Sequence, residues 1–257
     1  MTPLPLANRR VLVTRGASQA PKLSDGLRAL GAIPVEVPVI EIRPPESYES
    51  LDTALRNLGE YDWMIFTSSN SVHVFGERSA SLGIVAPPTG LQVATIGAAT
   101  AQAARNAGLA VSLVPEAYVA EGLVTALQNQ IAGKRVLLAR AAVARDVIPD
   151  ALRSAGASVD VVDAYQNVMP EAAPHQLRHA YARGLDAATF TSSSSVTHLA
   201  NAAKAAALSF PLKDVRAISI GPVTTQTLRA LNWTPAAEAD PHDIQGLITA
   251  VTKVLGR

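Results

Sequence analysis

Short apolar runs alternate with stretches of helical periodicity along the chain. Val11–Thr14 is an apolar run without alternation, and the stretch after it places leucines at 23, 27 and 30 before a glycine at 31. An uninterrupted apolar run predicts a buried strand, and leucines three and four positions apart that end at a glycine predict a helix. A second β-like run, Ile33–Ile42, follows. The first unit of the chain is therefore predicted to be strand, helix, strand.

The same alternation continues beyond this unit. The predicted elements are a helix over 47–59, a strand over 63–66, a helix from 69, a strand over 93–96, a helix over 100–107, a strand over 110–113 and a helix over 121–130. Strands that alternate with helices form parallel sheets covered on both faces. We therefore predict doubly wound α/β domains of flavodoxin-like strand order.

The strand–helix–strand unit occurs twice. Residues 11–45 recur without a gap at 136–170, with 11 of 35 positions identical. Further echoes at an offset of 124 pair 66–72 with 190–196, 96–100 with 220–224, and 122–126 with 246–250. A repeat this long exceeds the period of solenoid proteins, so it predicts an internal duplication into two domains. Two like domains are expected to leave a cleft between them, where ligands bind.

Two domain arrangements fit the duplication. A boundary near Gly133-Lys134 would divide the chain into consecutive halves. Alternatively, the halves exchange their first strand–helix–strand unit, and the Pro-bearing segments 37–41 and 164–170 run side by side as connectors. The residues alone leave both arrangements open.

Composition removes several classes of function. The 257 residues, 48% of them hydrophobic, are sufficient for two domains with a core in each. A formal net charge of +1 gives no general attraction to nucleic acid, and the absence of cysteine excludes disulfides and thiol catalysis. There is no run of eighteen apolar residues, and the first ten residues do not resemble a secretory signal. We expect a cytoplasmic monomer that binds a small molecule, with neither nucleic acid nor membrane as partner.

Candidate chemistry lies at the carboxyl ends of the predicted strands, where open parallel sheets bind ligands. The segments there are Arg15-Gly16, Thr67–Asn70, Gly97–Thr100, Arg140-Ala141, Thr191–Ser194 and Gly221–Thr224. Each Ser/Thr or Gly turn opens a helix, whose free N–H groups and positive dipole end attract anions. The alternative is that the hydroxyls serve only as N-caps.

Two arginines and one tyrosine extend this set. Arg15 and Arg140 follow the first strand of each repeat, where a guanidinium either clamps a carboxylate or forms a structural ion pair. Arg145 adds a further cation or lies on a solvated face. Tyr165 stands where the first repeat has Ile40, and its phenol stays protonated at neutral pH and could donate a proton. A tyrosine packed in the core is the alternative.

Metal and nucleotide chemistry find little support in the sequence. His175 and His179 are four residues apart on a predicted helix, but no third ligand is near, so we interpret them as a surface pair. The strand ends carry no carboxylate to hold Mg²⁺ beside a phosphate, and neither a P-loop nor a G-x-G-x-x-G motif occurs. We predict no metal and no cofactor.

The order and spacing of the motifs resemble those of the uroporphyrinogen-III synthase family, over essentially the whole chain. The resembling segments are Val11–Arg15 (VLVTR), Phe66–Val72 (FTSSNSV), Ile96–Ala101 (IGAATA), Asp163–Tyr165 (DAY), Phe190–Val196 (FTSSSSV) and Ile220–Thr224 (IGPVT). The resemblance implies the interleaved arrangement. One α/β domain would be 1–36 with 170–257, the other 42–164, and 37–41 and 165–169 would form a two-stranded connector.

The resemblance also implies the reaction. The linear tetrapyrrole hydroxymethylbilane would lose water, close and invert its last ring to give uroporphyrinogen III, without a cofactor. Tyr165 would be the catalytic proton donor. The two arginines at the strand ends join the hydroxyl residues as candidates for substrate binding. The full set is Arg15, Ser68, Ser69, Ser71, Thr100, Arg140, Ser192, Ser193, Ser195 and Thr224. The competing hypothesis is a non-catalytic two-domain protein that binds or senses a small molecule.

Overall fold

The computed structural model describes residues 4–84, 88–144 and 146–256, so Arg145 lies outside the described residues. The chain divides into two compact units. The first unit comprises residues 1–42 and 168–257, and the second comprises residues 43–167. The chain therefore passes from one unit to the other twice.

Parallel strands and helices alternate in the described ranges. The strands are β1 (Arg10–Val13), β2 (Ile33–Glu36), β3 (Glu41–Arg43), β4 (Trp63–Phe66), β5 (Gln92–Thr95), β6 (Val111–Leu113), β7 (Arg135–Ala141), β8 (Ser158–Val168), β9 (Ala187–Phe190), β10 (Arg216–Ser219) and β11 (Ala237–Glu238). The helices are α1 (Ala20–Ala29), α2 (Glu49–Arg56), α3 (Ser69–Ser81), α4 (Ala98–Asn106), α5 (Ala120–Leu127), α6 (Val147–Ser154), α7 (Ala173–Ala182), α8 (Ser193–Ala205), α9 (Pro222–Ala230) and α10 (Ile244–Leu255). None of these helices is long and apolar enough to cross a membrane.

Both sheets have the doubly wound strand order. One sheet, formed by the first unit, has the order β11-β10-β9-β1-β2. The other has the order β3-β8-β7-β4-β5-β6 and is formed by the second unit, except that β3 begins with the last two residues of the preceding segment of the first unit. Counted from β1 in one unit and from β7 in the other, five strands of each sheet follow the flavodoxin-like order 2-1-3-4-5, and β3 adds an edge strand to the second. The predicted α/β fold class is confirmed. The strand order reverses between β1 and β9 in one sheet and between β7 and β4 in the other, and doubly wound proteins bind ligands at that point.

The central strands are buried on both faces. In β1, Leu12 packs in one apolar cluster of the first unit, while Val11 and Val13 pack in the other. In β7, Leu137 and Leu138 likewise belong to different clusters of the second unit. Successive side chains of a strand point to opposite faces, so helices on both sides require the unbroken apolar runs seen in the sequence.

The predicted run over 33–42, including the connector segment 37–41, is interrupted. Strand β2 ends at Glu36 and β3 begins at Glu41, with no strand over 37–40. Val37 and Val39 still donate to the carbonyls of Val13 and Thr14, at 3.1 and 3.3 Å. Pro38 between them has no N–H to continue a ladder, which explains the break. The predicted helix over 47–59 is also shorter, since α2 ends at Arg56 and a 3₁₀ turn follows at Leu58–Glu60.

The echo at Gly122 and Gly246 has a packing cause. Each glycine is the third residue of its helix, α5 or α10. A Cβ atom at Gly122 would lie 2.3 Å from the carbonyl oxygen of Ala117, and one at Gly246 would lie 1.9 Å from that of Pro241. The loop before each helix therefore folds back so closely that only glycine fits.

Candidate active site

The predicted site residues all lie at or just after the carboxyl ends of strands, and each unit carries its own set. In the first unit they are Arg15 after β1, Ser192, Ser193 and Ser195 after β9, and Thr224 after β10. In the second they are Ser68, Ser69 and Ser71 after β4, Thr100 after β5, Arg140 at the end of β7 and Tyr165 near the end of β8.

The serine-rich turns form matching N-caps. Ser68 Oγ accepts a hydrogen bond from the Ser71 amide at 3.2 Å, and Ser192 Oγ accepts one from the Ser195 amide at 3.2 Å. The Ser71 and Ser195 hydroxyls donate back to the carbonyls of Ser68 and Ser192, at 2.8 and 2.6 Å. Ser71 and Ser195 are fully buried, so their hydroxyls are committed to the turns. Helix capping thus accounts for the hydrogen bonds of Ser71 and Ser195.

Ser69 and Ser193 are the first residues of α3 and α8, and both are half-buried. Ser193 Oγ accepts a hydrogen bond from Thr227 Oγ1 at 2.8 Å, which links α8 to α9. The Ser69 hydroxyl makes no hydrogen bond with any residue in the described ranges. Of the two, Ser69 therefore has the hydroxyl that is open to a ligand.

Thr100 and Thr224 are the third residues of α4 and α9 and follow the N-cap glycines Gly97 and Gly221. The two residues are 6% and 4% exposed. Neither hydroxyl forms a hydrogen bond within the described part of the chain, yet each oxygen retains contact with solvent. Polar groups this well buried are normally bonded, so this matched pair favours hydrogen bonding to a ligand.

The two arginines differ in their partners. Arg140 Nη2 forms an ion pair with Asp146 Oδ1 at 2.6 Å, and its side chain is 12% exposed. Arg15 Nη2 instead donates to the neutral Gln19 side chain at 3.2 Å. The buried Nε atoms of both arginines form no hydrogen bond within the described part of the chain. No carboxylate of the described residues forms an ion pair with Arg15, and burial lowers the pKa of its guanidinium. Arg15 is thus a partly desolvated cation with no carboxylate partner in the described ranges.

Tyr165 is 7% exposed, and its ring packs in the apolar cluster that contains Phe66 and Val72. Its hydroxyl lies 3.0 Å from Ser68 Oγ. This pairing joins β8 to the N-terminus of α3 and was not predicted from the sequence. It has no counterpart in the first unit, where Ile40 occupies the equivalent position.

Two ring side chains at the same strand ends were missed by the sequence analysis. A Cβ atom at Gly97 would lie 3.3 Å from the ring of Tyr118, and one at Gly221 would lie 3.4 Å from the ring of His242. Tyr118 is 60% exposed, and His242 is exposed with Nδ1 2.7 Å from the Ala239 carbonyl oxygen. Positions 118 and 242 are separated by 124, the offset of the echoes, so comparison of the repeats could have found them.

The structure supplies no metal centre in the part of the chain that it describes. His175 and His179 are both exposed on α7. Across residues 4–84, 88–144 and 146–256, no three His, Cys, Asp or Glu side chains are grouped to hold a metal ion.

Each unit contains a doubly wound sheet, and helix N-termini and hydroxyls lie at the ends of its strands. The first unit adds the partly desolvated guanidinium of Arg15. These features define an α/β protein suited to an acidic ligand. Comparison with known proteins makes this specific. The family model described as uroporphyrinogen-III synthase HemD matches residues 9–249. The chain belongs to the uroporphyrinogen-III synthase family.

Curated relatives span the chain almost from end to end. It is 32% identical to a uroporphyrinogen-III synthase of Synechococcus elongatus, across 98% of this chain and 97% of that protein. It is also 32% identical to a putative uroporphyrinogen-III synthase of Methanothermobacter thermautotrophicus, across 95% of this chain and 98% of that protein.

Solved structures share the fold. A crystal structure of a mutant uroporphyrinogen III synthase from Thermus thermophilus aligns with a TM-score of 0.71 at 21% identity, covering 96% of this chain and 98% of that one. The uroporphyrinogen-III synthetase of Helicobacter pylori aligns with a TM-score of 0.64 at 17% identity, covering 95% and 99%. At these identities the likeness concerns the two-domain α/β fold alone.

Proposed function

We propose that this chain is a uroporphyrinogen-III synthase, a lyase that cyclises hydroxymethylbilane with loss of water and inversion of the last ring. The observation that carries the proposal is the family match over residues 9–249. The geometry supports it through hydroxyls and cations at the strand ends, which suit a flexible substrate with carboxylates along its length.

Substrate binding is assigned first to a cation that forms no ion pair with the described residues and to hydroxyls that form no hydrogen bond with them. Arg15 is assigned to a substrate carboxylate, because its guanidinium is partly desolvated and has no ion pair with a described residue. Thr100 and Thr224 are assigned hydrogen bonds to the substrate, and so is Ser69. The other proposed binding residues act through the turns or ion pair that they form: Ser68, Ser71, Arg140, Ser192, Ser193 and Ser195.

Tyr165 is assigned as the catalytic proton donor. The electron pair of a pyrrole nitrogen expels the terminal hydroxyl, and the phenol gives its proton to that group as the C–O bond breaks, so that water leaves. The carbon that lost the hydroxyl then bonds to the substituted carbon of the last ring, and the original bond from that ring carbon to its methylene bridge breaks. The freed methylene bonds to the unsubstituted carbon of the same ring, which inverts the ring, and this carbon releases one proton, so that the net change is loss of water. The phenolate takes up a proton in that step and returns to its starting state.

The product formed from hydroxymethylbilane tests the function. Incubation with the protein, oxidation of the products and chromatographic separation of the isomers should yield the type III isomer. Spontaneous closure gives type I, so type I alone would contradict the proposal. Tyr165→Phe should lower kcat with little change in product affinity, and an unchanged rate would remove Tyr165 from the mechanism.

We also propose that the protein acts as a cytoplasmic monomer. Size-exclusion chromatography with light scattering should give one species of 26.8 kDa. A mass of about 54 kDa, twice that value, would indicate a dimer instead.

A further inference from the structure

Ser68 contacts both the first turn of α3 and the phenol of Tyr165. Its Oγ accepts the Ser71 amide at 3.2 Å and lies 3.0 Å from Tyr165 Oη and 3.3 Å from Ser71 Oγ. The Ser71 hydroxyl already donates to the Ser68 carbonyl at 2.8 Å. Either hydroxyl can donate in the pair of Ser68 Oγ and Tyr165 Oη. Of the two side-chain oxygens within reach of the Ser68 hydroxyl, Tyr165 Oη is nearer than Ser71 Oγ.

The direction of this bond decides what the phenol can do. A hydroxyl has one hydrogen to donate and lone pairs that accept. If Ser68 donates to Tyr165, the phenol hydrogen is left for another acceptor. If Tyr165 donated to Ser68 instead, its only hydrogen would be spent inside the protein, so only the first arrangement suits a proton donor.

We infer that Ser68 is a positioning residue that donates its hydroxyl hydrogen to Tyr165 and thereby aims the phenol hydrogen at the substrate. The inference rests on the proposed function of Tyr165. Once the phenol has given up its proton, the same Ser68 bond becomes a charge-assisted bond to a phenolate, which is roughly twice as strong as a neutral one. The Ser71 amide polarises Ser68 further, and the positive end of the α3 dipole favours the negative charge.

The first unit provides an internal comparison. Ser192 caps α8 with the same 3.2 Å bond to the third residue of its helix, but Ile40 replaces the phenol there. Capping alone is thus shared by both turns, whereas the bond to a phenol belongs to Ser68.

The test uses the full chain and measures kcat and KM for type III product. Ser68→Ala should lower kcat about 10- to 100-fold, the loss that corresponds to one hydrogen bond to a charged group, with KM changed less than about twofold. Ser68→Thr keeps the hydroxyl and the cap and should restore kcat. In a Tyr165→Phe background, Ser68→Ala should lower kcat no further, because Ser68 acts through the phenol.

Control variants separate the effect on protein stability from the effect on kcat. Ser192→Ala removes an equivalent cap, so its unfolding free energy shows how much of the Ser68→Ala effect is capping alone. Ser68→Gly removes the hydroxyl while keeping a residue that caps almost as well, and it replaces the alanine variant if that variant fails to fold. Equal losses of kcat with and without Tyr165, or a raised KM at unchanged kcat, would overturn the inference. A wild-type protein that forms only the type I isomer would instead overturn the proposed function.

Discussion

Arg15 and Arg140 occupy equivalent positions after the first strand of each repeat, yet only Arg140 has a carboxylate partner among the described residues. The difference can be traced to one position, because the repeat equivalent of Asp146 is Pro21. A proline cannot neutralise the guanidinium. The sequence left ion pair and ligand clamp open for both arginines, and the structure separates them.

This difference predicts unequal effects on substrate binding. Arg15→Gln should raise KM roughly 10- to 100-fold, since a charge-assisted hydrogen bond contributes about 1.5–3 kcal/mol, and should alter kcat little. Arg140→Gln should raise KM less, because its charge is already paired with Asp146. Steady-state kinetics on the two variants measure the ratio, and a larger KM for Arg140→Gln would contradict the assignment.

Tyr61 provides a pH-dependent prediction at the residue scale. Burial, together with a 2.8 Å hydrogen bond to Asp160, raises its pKa to about 12. In the unfolded chain the pKa of tyrosine is about 10, so the folded state holds this proton more tightly. The stabilisation is complete below pH 10 and is lost as the pH rises through 12.

Tyr61→Phe should therefore be less stable than wild type at neutral pH, by about 1 kcal/mol for the lost hydrogen bond. The two unfolding free energies should converge between about pH 10 and 12. Urea denaturation across that range measures both proteins. Parallel curves would show that Tyr61 does not titrate as its burial implies.

At the scale of single elements, two helical glycines differ in the space available for a side chain. Gly246, near the start of α10, has no room for a methyl group, whereas Gly76 within α3 has no atom within 4 Å of a Cβ position. Alanine normally stabilises a helix over glycine by about 0.5–1 kcal/mol. The two sites should therefore respond in opposite directions.

Gly246→Ala should lower the free energy of unfolding by roughly 1–3 kcal/mol, because the methyl group forces the Pro241 carbonyl to move. Gly76→Ala should raise it by about 0.5–1 kcal/mol. Chemical denaturation of both variants provides the comparison. A stable Gly246→Ala protein would mean that the loop before α10 yields easily.

The strands and helices were largely predictable because their burial pattern is local in the sequence. The break at Pro38 is equally local and follows from its missing N–H. The contact between Ser68 and Tyr165 was beyond the sequence, because these residues are 97 positions apart and meet only when β8, β7 and β4 assemble side by side. The free hydroxyls of Thr100 and Thr224 were also hidden, since a threonine near a helix start commonly bonds within its own turn.

At the scale of the whole molecule, each apolar cluster consists of residues from one unit only. The clusters around Phe66 and Leu138 draw on residues of 43–167 alone, and those around Phe190 and Leu23 draw on the other unit alone. A fragment of residues 43–167 should accordingly unfold cooperatively by itself. A fragment of residues 168–257 should not, since it lacks β1 and β2.

Circular dichroism during urea unfolding distinguishes the two fragments. The expected result is a sigmoidal transition for 43–167 and a gradual signal change for 168–257. A featureless curve for 43–167 would show that its sheet depends on residues outside the fragment.

The discontinuous first unit has a consequence for synthesis on the ribosome. Strand β1 is made early, but β9, its neighbour in the sheet, begins only at Ala187, after the whole of 43–167 has emerged. At about 5–20 residues per second, one edge of the apolar strand β1 stays without its neighbour for roughly 9–35 s after the strand is made. Strand β1 thus has one edge uncovered while the whole second unit is made, and we expect a chaperone at the tunnel exit to bind this segment during that time.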